Sequence, residues 1–281
     1  MRICLSGLDN VSFYFDNVYV FGKTWEEHMT ALRAVMERLR LYGLTAKPVK
    51  CRFGFPYVIY LGFVLDGNFI RPRMDKVSAI LELTPPKTKH SLRSFLGMIS
   101  FYRSYIPNAS DLSSPLSDML RKGVKEPLVW SDEAVASFNA LKAALASDPV
   151  LRVPNPALPF VLRTDASSCG LGCVLLQYID GVAFPIAYAS RKLLPREINY
   201  STVERECLGI VFGIKRFEYY LVGREFILEV DHKPLVYMER FKGSNDKLLR
   251  WSLGLQSYKF RLVHISGSDN VGADILSRAG T

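Results

Sequence analysis

Residues 159–192 read PFVLRTDASSCGLGCVLLQYIDGVAFPIAYASRK, and the fold class turns on this stretch. Three apolar, β-branched runs, FVLRTDAS, LGCVLLQYI and FPIAYASRKL, follow one another, with Gly170 and Gly181 at or near the joints. That pattern reads as three successive strands. Over residues 201–221, Val203, Cys207, Ile210, Val211, Ile214 and Phe217 recur at helical spacing. FILEVDH (226–232) reads as a fourth strand, 245–257 as a helix, KFRLVHI (259–265) as a fifth strand and VGADILSR (271–278) as a short closing helix. Three strands, helix, strand, helix, strand, helix is a mixed α/β order.

Four acids stand inside these apolar elements: Asp165, Glu206, Asp231 and Asp274. A carboxylate in apolar surroundings is costly unless a metal or a partner compensates it. Asp165 ends FVLRTD, Asp231 ends FILEVD, Glu206 lies at the edge of the apolar helix stripe, and Asp274 sits between Ala273 and Ile275. Taken singly, each has a plain alternative. Asp165 caps a turn with Ser167, Glu206 is a solvated helix residue, Asp231 is a turn acid, and Asp274 is a helix N-terminal charge. Taken together, they match what phosphodiester hydrolysis by two divalent ions needs, several hard oxygen ligands around one point.

Working outward, VSFYFDNVYVF (11–21) reads as strand, turn and strand about Asp16-Asn17. Thr24 and Glu27 form a T-x-x-E capping box before a helix with Trp25, Met29, Leu32, Met36 and Leu39 on its apolar face, and Gly43 ends it. YVIYLGFVL (57–65) has strand composition. Ser91 is placed as the cap of a helix carrying Leu92, Phe95, Leu96, Ile99 and Tyr102. A further helix begins near Ser131 with Val135, Phe138, Leu141 and Leu145 inward, and Pro154, Pro156 and Pro159 mark a linker.

The 281 residues are 49% hydrophobic and carry a net charge of +9. A chain of that length and composition builds real cores and is not a disordered tail. Positions 1–150 hold 19 basic and 14 acidic residues, and the remainder 17 and 13, so the excess is spread along the chain. A spread excess suits a polyanion bound along a track. Five cysteines at irregular spacings argue against a disulfide framework and point to a reduced compartment. Neither a signal-peptide core nor a membrane-length apolar run is read from the sequence.

Residues 159–278 closely resemble the RNase H domain of gypsy-class LTR retrotransposons. The resemblance is carried by RTDASSCGLGCVLLQ, PIAYASRKLLPREINYSTVERECLGIVFGIKRFEYYLVG, FILEVDHKPL and LLRWSLGLQSYKFRLVHISGSDNVGADILSR. It implies an RNase H-like five-stranded mixed sheet. It also implies that Asp165, Glu206, Asp231 and Asp274 hold two Mg²⁺ ions, with Mn²⁺ able to substitute, and that the RNA strand of an RNA–DNA hybrid is hydrolysed. Glu204 is the nearest rival to Glu206. Hybrid contacts are assigned to the backbone around Ala166–Ser168 and to Arg191.

The resemblance extends upstream. FYFDNVYVFGKTWEEH resembles the catalytic hairpin of the same elements' polymerase palm, YLGFVLDG the primer-gripping hairpin, PPKTKHSLRSFLGMISFYRSYIPNASDLSSPLSDMLRKG the thumb, and WSDEAVASFNALKAALASDPVL the connection. It implies a partial palm over 1–70, thumb and connection over 71–158 and the RNase H-like domain over 159–281. The palm pattern is an aromatic, any residue, then two aspartates. Here it reads Tyr14-Phe15-Asp16-Asn17, with an amide where the second acid belongs, and the fingers and first part of the palm are expected to precede residue 1. Polymerisation by this chain alone is therefore not expected. Lys87, Lys89, Arg93 and Arg103 are read as phosphate contacts of the thumb. The rest of a Pol polyprotein is the implied partner, in the cytoplasm or a virus-like particle. The competing reading is a non-catalytic nucleic-acid-binding relic, kept by a host as a scaffold.

Overall fold

The computed structural model describes residues 1–107, 109–147, 150–230 and 246–265. The chain forms two compact units, Met1–Gly67 and Asn68–Thr281.

In the first unit, α1 (Arg2–Leu5) is followed by the hairpin β1 (Val11–Tyr14) and β2 (Asn17–Val20), then α2 (Trp25–Leu41) and a second hairpin, β3 (Val58–Tyr60) and β4 (Phe63–Asp66). Thr24 Oγ1 accepts the Glu27 N–H at 3.2 Å, as the capping motif predicts. The reciprocal bond goes one residue further back, to the Lys23 N–H at 2.8 Å. Gly43, at φ 65°, ends the helix in the left-handed conformation. The buried stripe of α2 is Ala31, Val35 and Leu39, while Trp25 and Met36 are exposed. Small Ala31 and Val35 give this face a close approach, and Val35 and Leu39 pack with Leu5, Val11, Phe13, Val18 and Val20. YVIYLGFVL forms the hairpin β3–β4, turned back on itself by Leu61 and Gly62, both at positive φ.

The second unit opens with β5 (Phe69–Pro72), α3 (Met74–Leu81), α4 (Lys89–Phe101), the short helices α5 (Ala109–Leu112) and α6 (Ser114–Asp118), α7 (Asp132–Ala146) and β6 (Leu151–Arg152), which pairs antiparallel with β5. The cap of α4 is Thr88, three residues before Ser91, and its Oγ1 accepts the Ser91 N–H. Leu92, Phe95 and Ile99 are buried as expected, and Ser131 caps α7.

The remaining elements are β7 (Phe160–Ala166), β8 (Gly170–Ile179), β9 (Val182–Lys192), α8 (Thr202–Arg216), α9 (Glu218–Leu221), β10 (Glu225–Val230), α10 (Asp246–Leu255) and β11 (Lys259–His264). They form a five-stranded mixed sheet in the order β11-β10-β7-β8-β9. β8 runs antiparallel to both its neighbours, β7 and β9, while β10 runs parallel to both β7 and β11. A parallel pair needs a crossover, and α10 lies in the one between β10 and β11. Strand alternation puts Phe160 and Leu162 in one apolar cluster with Cys173, Leu175, Cys207, Ile210 and Ile214. Val161, Val174 and Leu176 form a separate cluster. Gly213 lets α8 sit close to the strands. A Cβ there would lie 3.0 Å from Thr164 Cγ2 and 3.3 Å from both Cys173 Cβ and Leu162 Cδ1.

The proline-rich segment after β6 is pinned by buried Gln177. Its amide donates to the Asn155 and Leu158 carbonyls at 2.8 and 3.0 Å and accepts the Asn155 N–H at 2.9 Å. The segment read as the closing helix lies outside the described residues.

Candidate functional site

The end of β7 and the first turns of α8 are built as one piece. Ser167 closes the β7–β8 turn, with its Oγ accepting from Cys169 N at 3.1 Å and Gly170 N at 2.9 Å. Arg205 on α8 donates to the Ser167 carbonyl at 3.1 Å. One turn further on, a Cβ at Gly209 would lie 3.5 Å from the Asp165 carbonyl oxygen. Glu206, between Arg205 and Gly209, is thereby held on the helix turn that rests against the Asp165 end of β7. Both acids are deeply buried, Asp165 at 4% and Glu206 at 5% exposure.

Their surroundings suit a hard divalent cation. Carboxylate oxygens are the hard donors such a cation prefers, and Glu206 is followed along α8 by the buried, apolar Cys207 and Leu208. Among the described residues, no group of three or more His, Cys, Asp or Glu side chains forms a metal-holding cluster. Asp231 and Asp274, the other two acids read from the sequence, lie outside the described residues.

Glu204, the rival of Glu206, has a different occupation. It completes a capping box with Ser201, accepting the Ser201 N–H at 2.9 Å while its own N–H goes to Ser201 Oγ at 3.3 Å. Its other oxygen pairs with Lys247 Nζ at 2.8 Å, and that ammonium lies 3.6 Å from the centre of the Tyr200 ring.

The basic residues divide into two sets. Lys87 and Arg93 are exposed on the surface. Lys89 Nζ donates to the Arg121 carbonyl at 2.9 Å. Arg103, read from the sequence as a phosphate contact, turns inward: its guanidinium bonds Ser110 Oγ and donates to the Ser190 carbonyl at 2.7 Å. Burial, followed by nearby Arg216, lowers its proton affinity. Arg191 makes a bidentate pair with Glu197, at 2.6 and 3.1 Å, and lies 5.5 Å from the Phe212 ring centre. Burial alone would raise the Glu197 carboxyl, but the Arg191 bonds and the Leu194 N–H hold it below its ordinary value. Arg191 also borders a groove of about 380 Å³ with Leu208, Phe212, Lys215, Arg216 and Trp251, a basic wall with aromatic faces.

At the front hairpin, Tyr14 pairs with Asn17 across the turn, and Asp16 and Asn17 are exposed. Phe15, at φ 53° and 77% exposure, forms the tip.

Sequence reasoning missed the structural acid Asp111 and the Arg205 tie to the β7–β8 turn. Asp111 sits in a run of small polar residues, ASDLSSPLSD, with no apolar period to mark it as buried.

Comparison with known proteins agrees with this architecture. Residues 155–258 match the family described as the RNase H-like domain found in reverse transcriptase. The chain is 36% identical over 265 residues to the retrovirus-related Pol polyprotein from transposon 297 of Drosophila melanogaster, a match covering 94% of the chain and 25% of that protein. It is 31% identical over 274 residues to the transposon Tf2-7 polyprotein of Schizosaccharomyces pombe, covering 96% and 20%. The chain thus spans about a quarter or less of these two relatives' lengths. In fold it is similar to the foamy viral protease-reverse transcriptase. The TM-score is 0.83 against the form solved with double-stranded DNA, at 20% identity, covering 94% of the chain and 47% of the other. Against the complex with an RNA/DNA hybrid the TM-score is 0.81, at 20% identity, covering 95% and 37%.

Proposed function

We propose that this chain, a relative of retrotransposon Pol polyproteins with an RNase H-like domain of the reverse-transcriptase kind, hydrolyses the RNA strand of RNA–DNA hybrids in a divalent-metal-dependent reaction. The observation that carries the proposal is the burial of two carboxylates, Asp165 and Glu206, on two elements that touch, the end of β7 and the start of α8.

Asp165 and Glu206 would hold the metal together with Asp231 and Asp274. Asp231 is the next residue in sequence after Val230, where β10 ends beside β7. When bound, two Mg²⁺ ions, or Mn²⁺ in their place, supply Lewis-acid stabilisation of the attacking and leaving oxygens. The chain's own part is to fix the donors. The Ser167 turn and the Arg205 bond hold the end of β7 against α8, and the capping box sets where α8 begins. Arg191, Lys215 and Arg216 line a groove suited to backbone phosphates, with Trp251 and Phe212 as stacking faces. Lys87 and Arg93 extend the basic surface upstream. Arg103 is better read as an internal strut than as a phosphate contact.

The resemblance divides the chain into palm (1–70), thumb and connection (71–158) and nuclease (159–281). Asn17 in place of a carboxylate argues that polymerase chemistry does not run at the front hairpin. That assignment fails if the purified chain extends a primer with Mg²⁺ and dNTPs. The ligand class is supported by the foamy viral relative in fold, solved with an RNA/DNA hybrid. Working alongside the rest of a Pol polyprotein, in the cytoplasm or a virus-like particle, follows from the same kinship. No helix among the described residues is long and apolar enough to cross a membrane. The nuclease assignment is tested by cleavage of a strand-labelled hybrid with and without Mg²⁺. A folded chain that binds hybrid yet cuts neither strand is instead a nucleic-acid-binding relic.

A further inference from the structure

Helix α5 brings a carboxylate to the nuclease sheet from the upstream segment. Two polar ties hold α5 and α6 against β9. In the first, the Ser110 N–H donates to Ser190 Oγ at 3.1 Å, while Arg103 bridges Ser110 and the Ser190 carbonyl. In the second, Lys192 Nζ reaches Ser114 Oγ at 2.6 Å and Asp118 Oδ1 at 3.4 Å. Between them Asp111, at 6% exposure, lies over Gly170. A Cβ at Gly170 would stand 2.5 Å from Asp111 Oδ1 and 3.3 Å from its Cγ, so the carboxyl fills the space a side chain would need.

Gly170 opens β8, just after the turn Ser167–Cys169 that follows β7, the strand that carries Asp165. Its N–H goes to Ser167 Oγ, and its carbonyl accepts the Ser167 N–H at 2.9 Å. On the paired strand, Asp165 is opposite Gly172. The charged groups acting on Asp111 are Lys192, Arg103 and Asp165. Burial, first, and Asp165 oppose its charged form, while Lys192 and Arg103 favour it.

We propose that Asp111 is a positioning residue for the nuclease site: it seats Gly170, just after the turn that follows the Asp165 strand, and adds negative charge to the field that draws a divalent cation there. This rests on the nuclease reading above. Asp111 touches neither metal nor substrate in this role. A cation held by Asp165 favours the ionised form of Asp111, and by linkage the ionised form favours the cation.

The test uses the full 281-residue chain. Asp111→Asn keeps the shape and removes the charge, and Glu133→Gln on α7 is a charge-matched control away from the site. Mn²⁺ binding is read by electron paramagnetic resonance without substrate, and the Mg²⁺ dependence by hybrid cleavage. Asp111→Asn is expected to weaken Mn²⁺ binding by about 5-fold or more and to raise the half-saturating Mg²⁺ by a similar factor, with Glu133→Gln unchanged in both. For the seat itself, Gly170→Ala is expected to lose thermal stability and Mn²⁺ affinity. Asp111→Ala combined with Gly170→Ala is expected to recover part of the stability, because the smaller residue makes room for the new methyl. If wild type cleaves and binds Mn²⁺ while Asp111→Asn matches it in both, the positioning role is overturned and the nuclease reading stands. A wild type that binds Mn²⁺ without cleaving overturns the nuclease reading, and the Mn²⁺ comparison still decides the role of Asp111. A wild type that does neither overturns both.

Discussion

Asp16 lies beside the tip of the front hairpin, exposed, next to a phenylalanine that is 77% exposed, whereas Asp165 on β7 and Glu206 on α8 are only 4% and 5% exposed. Water satisfies the first acid. The other two have lost most of their hydration, and only a cation or a dense set of donors restores it. An acid at the exposed front hairpin is therefore expected to matter little for folding. Losing one from the nuclease sheet changes a buried charge balance.

The largest effect that sharpens this comparison is expected from Glu206→Gln. Hybrid cleavage is expected to fall by about 100- to 1,000-fold, the scale for removing one group that stabilises developing charge, with the far-ultraviolet circular dichroism unchanged. Adding Mn²⁺ to the metal-free protein is expected to raise Tm for wild type and not for this variant. An equal rise in both would break the link between burial and metal. The next effect is on stability. Breaking the part-buried Arg163–Glu229 pair with Arg163→Met is expected to cost about 3 kcal/mol or more in urea unfolding, because Glu229 then stays buried without its cation. Tyr178, also in contact with both side chains, is too weak a donor to replace it.

Smaller again is Gly213→Ala. Overpacking against Thr164, Cys173 and Leu162 is expected to destabilise by roughly 1–3 kcal/mol, offset in part by the roughly 1 kcal/mol helix preference of alanine. A stabilised variant would mean that α8 is not tightly seated on β7. A pH-dependent effect follows from Asp111, whose carboxyl is pushed up to about 7 by burial and by Asp165, against Lys192 and Arg103. The folded chain keeps this proton where the unfolded chain has already released it. Asp111 therefore lowers stability as pH rises from about 4 to about 7, with no further change above, at a slope of at most about 1.4 kcal/mol per unit. Asp111→Asn removes that slope, so its stability relative to wild type is expected to be greater at pH 8 than at pH 4. Equal differences at both would contradict the assignment. Last and smallest, Asn17→Asp at the exposed hairpin is expected to shift unfolding by no more than about 0.5 kcal/mol and to leave hybrid cleavage unchanged.

How much of this was legible in the sequence depended on the range of the interaction. The strands β7 to β9 and helix α8 are local patterns and lie where periodicity puts them, except that the helix read over 201–221 stops at Arg216 and restarts as α9. The buried face of α2 was displaced by one position, because Trp25 and Met36 dominate a hydrophobicity reading while the smaller Ala31 and Val35 make the close contact. The hairpin at Leu61-Gly62 was read from the resemblance of YLGFVLDG to a hairpin, whereas the composition of the apolar run gives strand without locating the turn. The occupations of Arg103 and Asp111 were not legible at all. Their partners, Ser190 and Gly170, lie far along the chain, and no spacing rule connects them.

The account rests most directly on one measurement: incubation of the purified chain with an RNA–DNA hybrid labelled on each strand, with and without Mg²⁺, beside Asp165→Asn. The account predicts cleavage of the RNA strand alone, dependent on Mg²⁺ and lost in the variant. Cleavage that persists in Asp165→Asn, or a folded chain that binds the hybrid and leaves both strands intact, would contradict it.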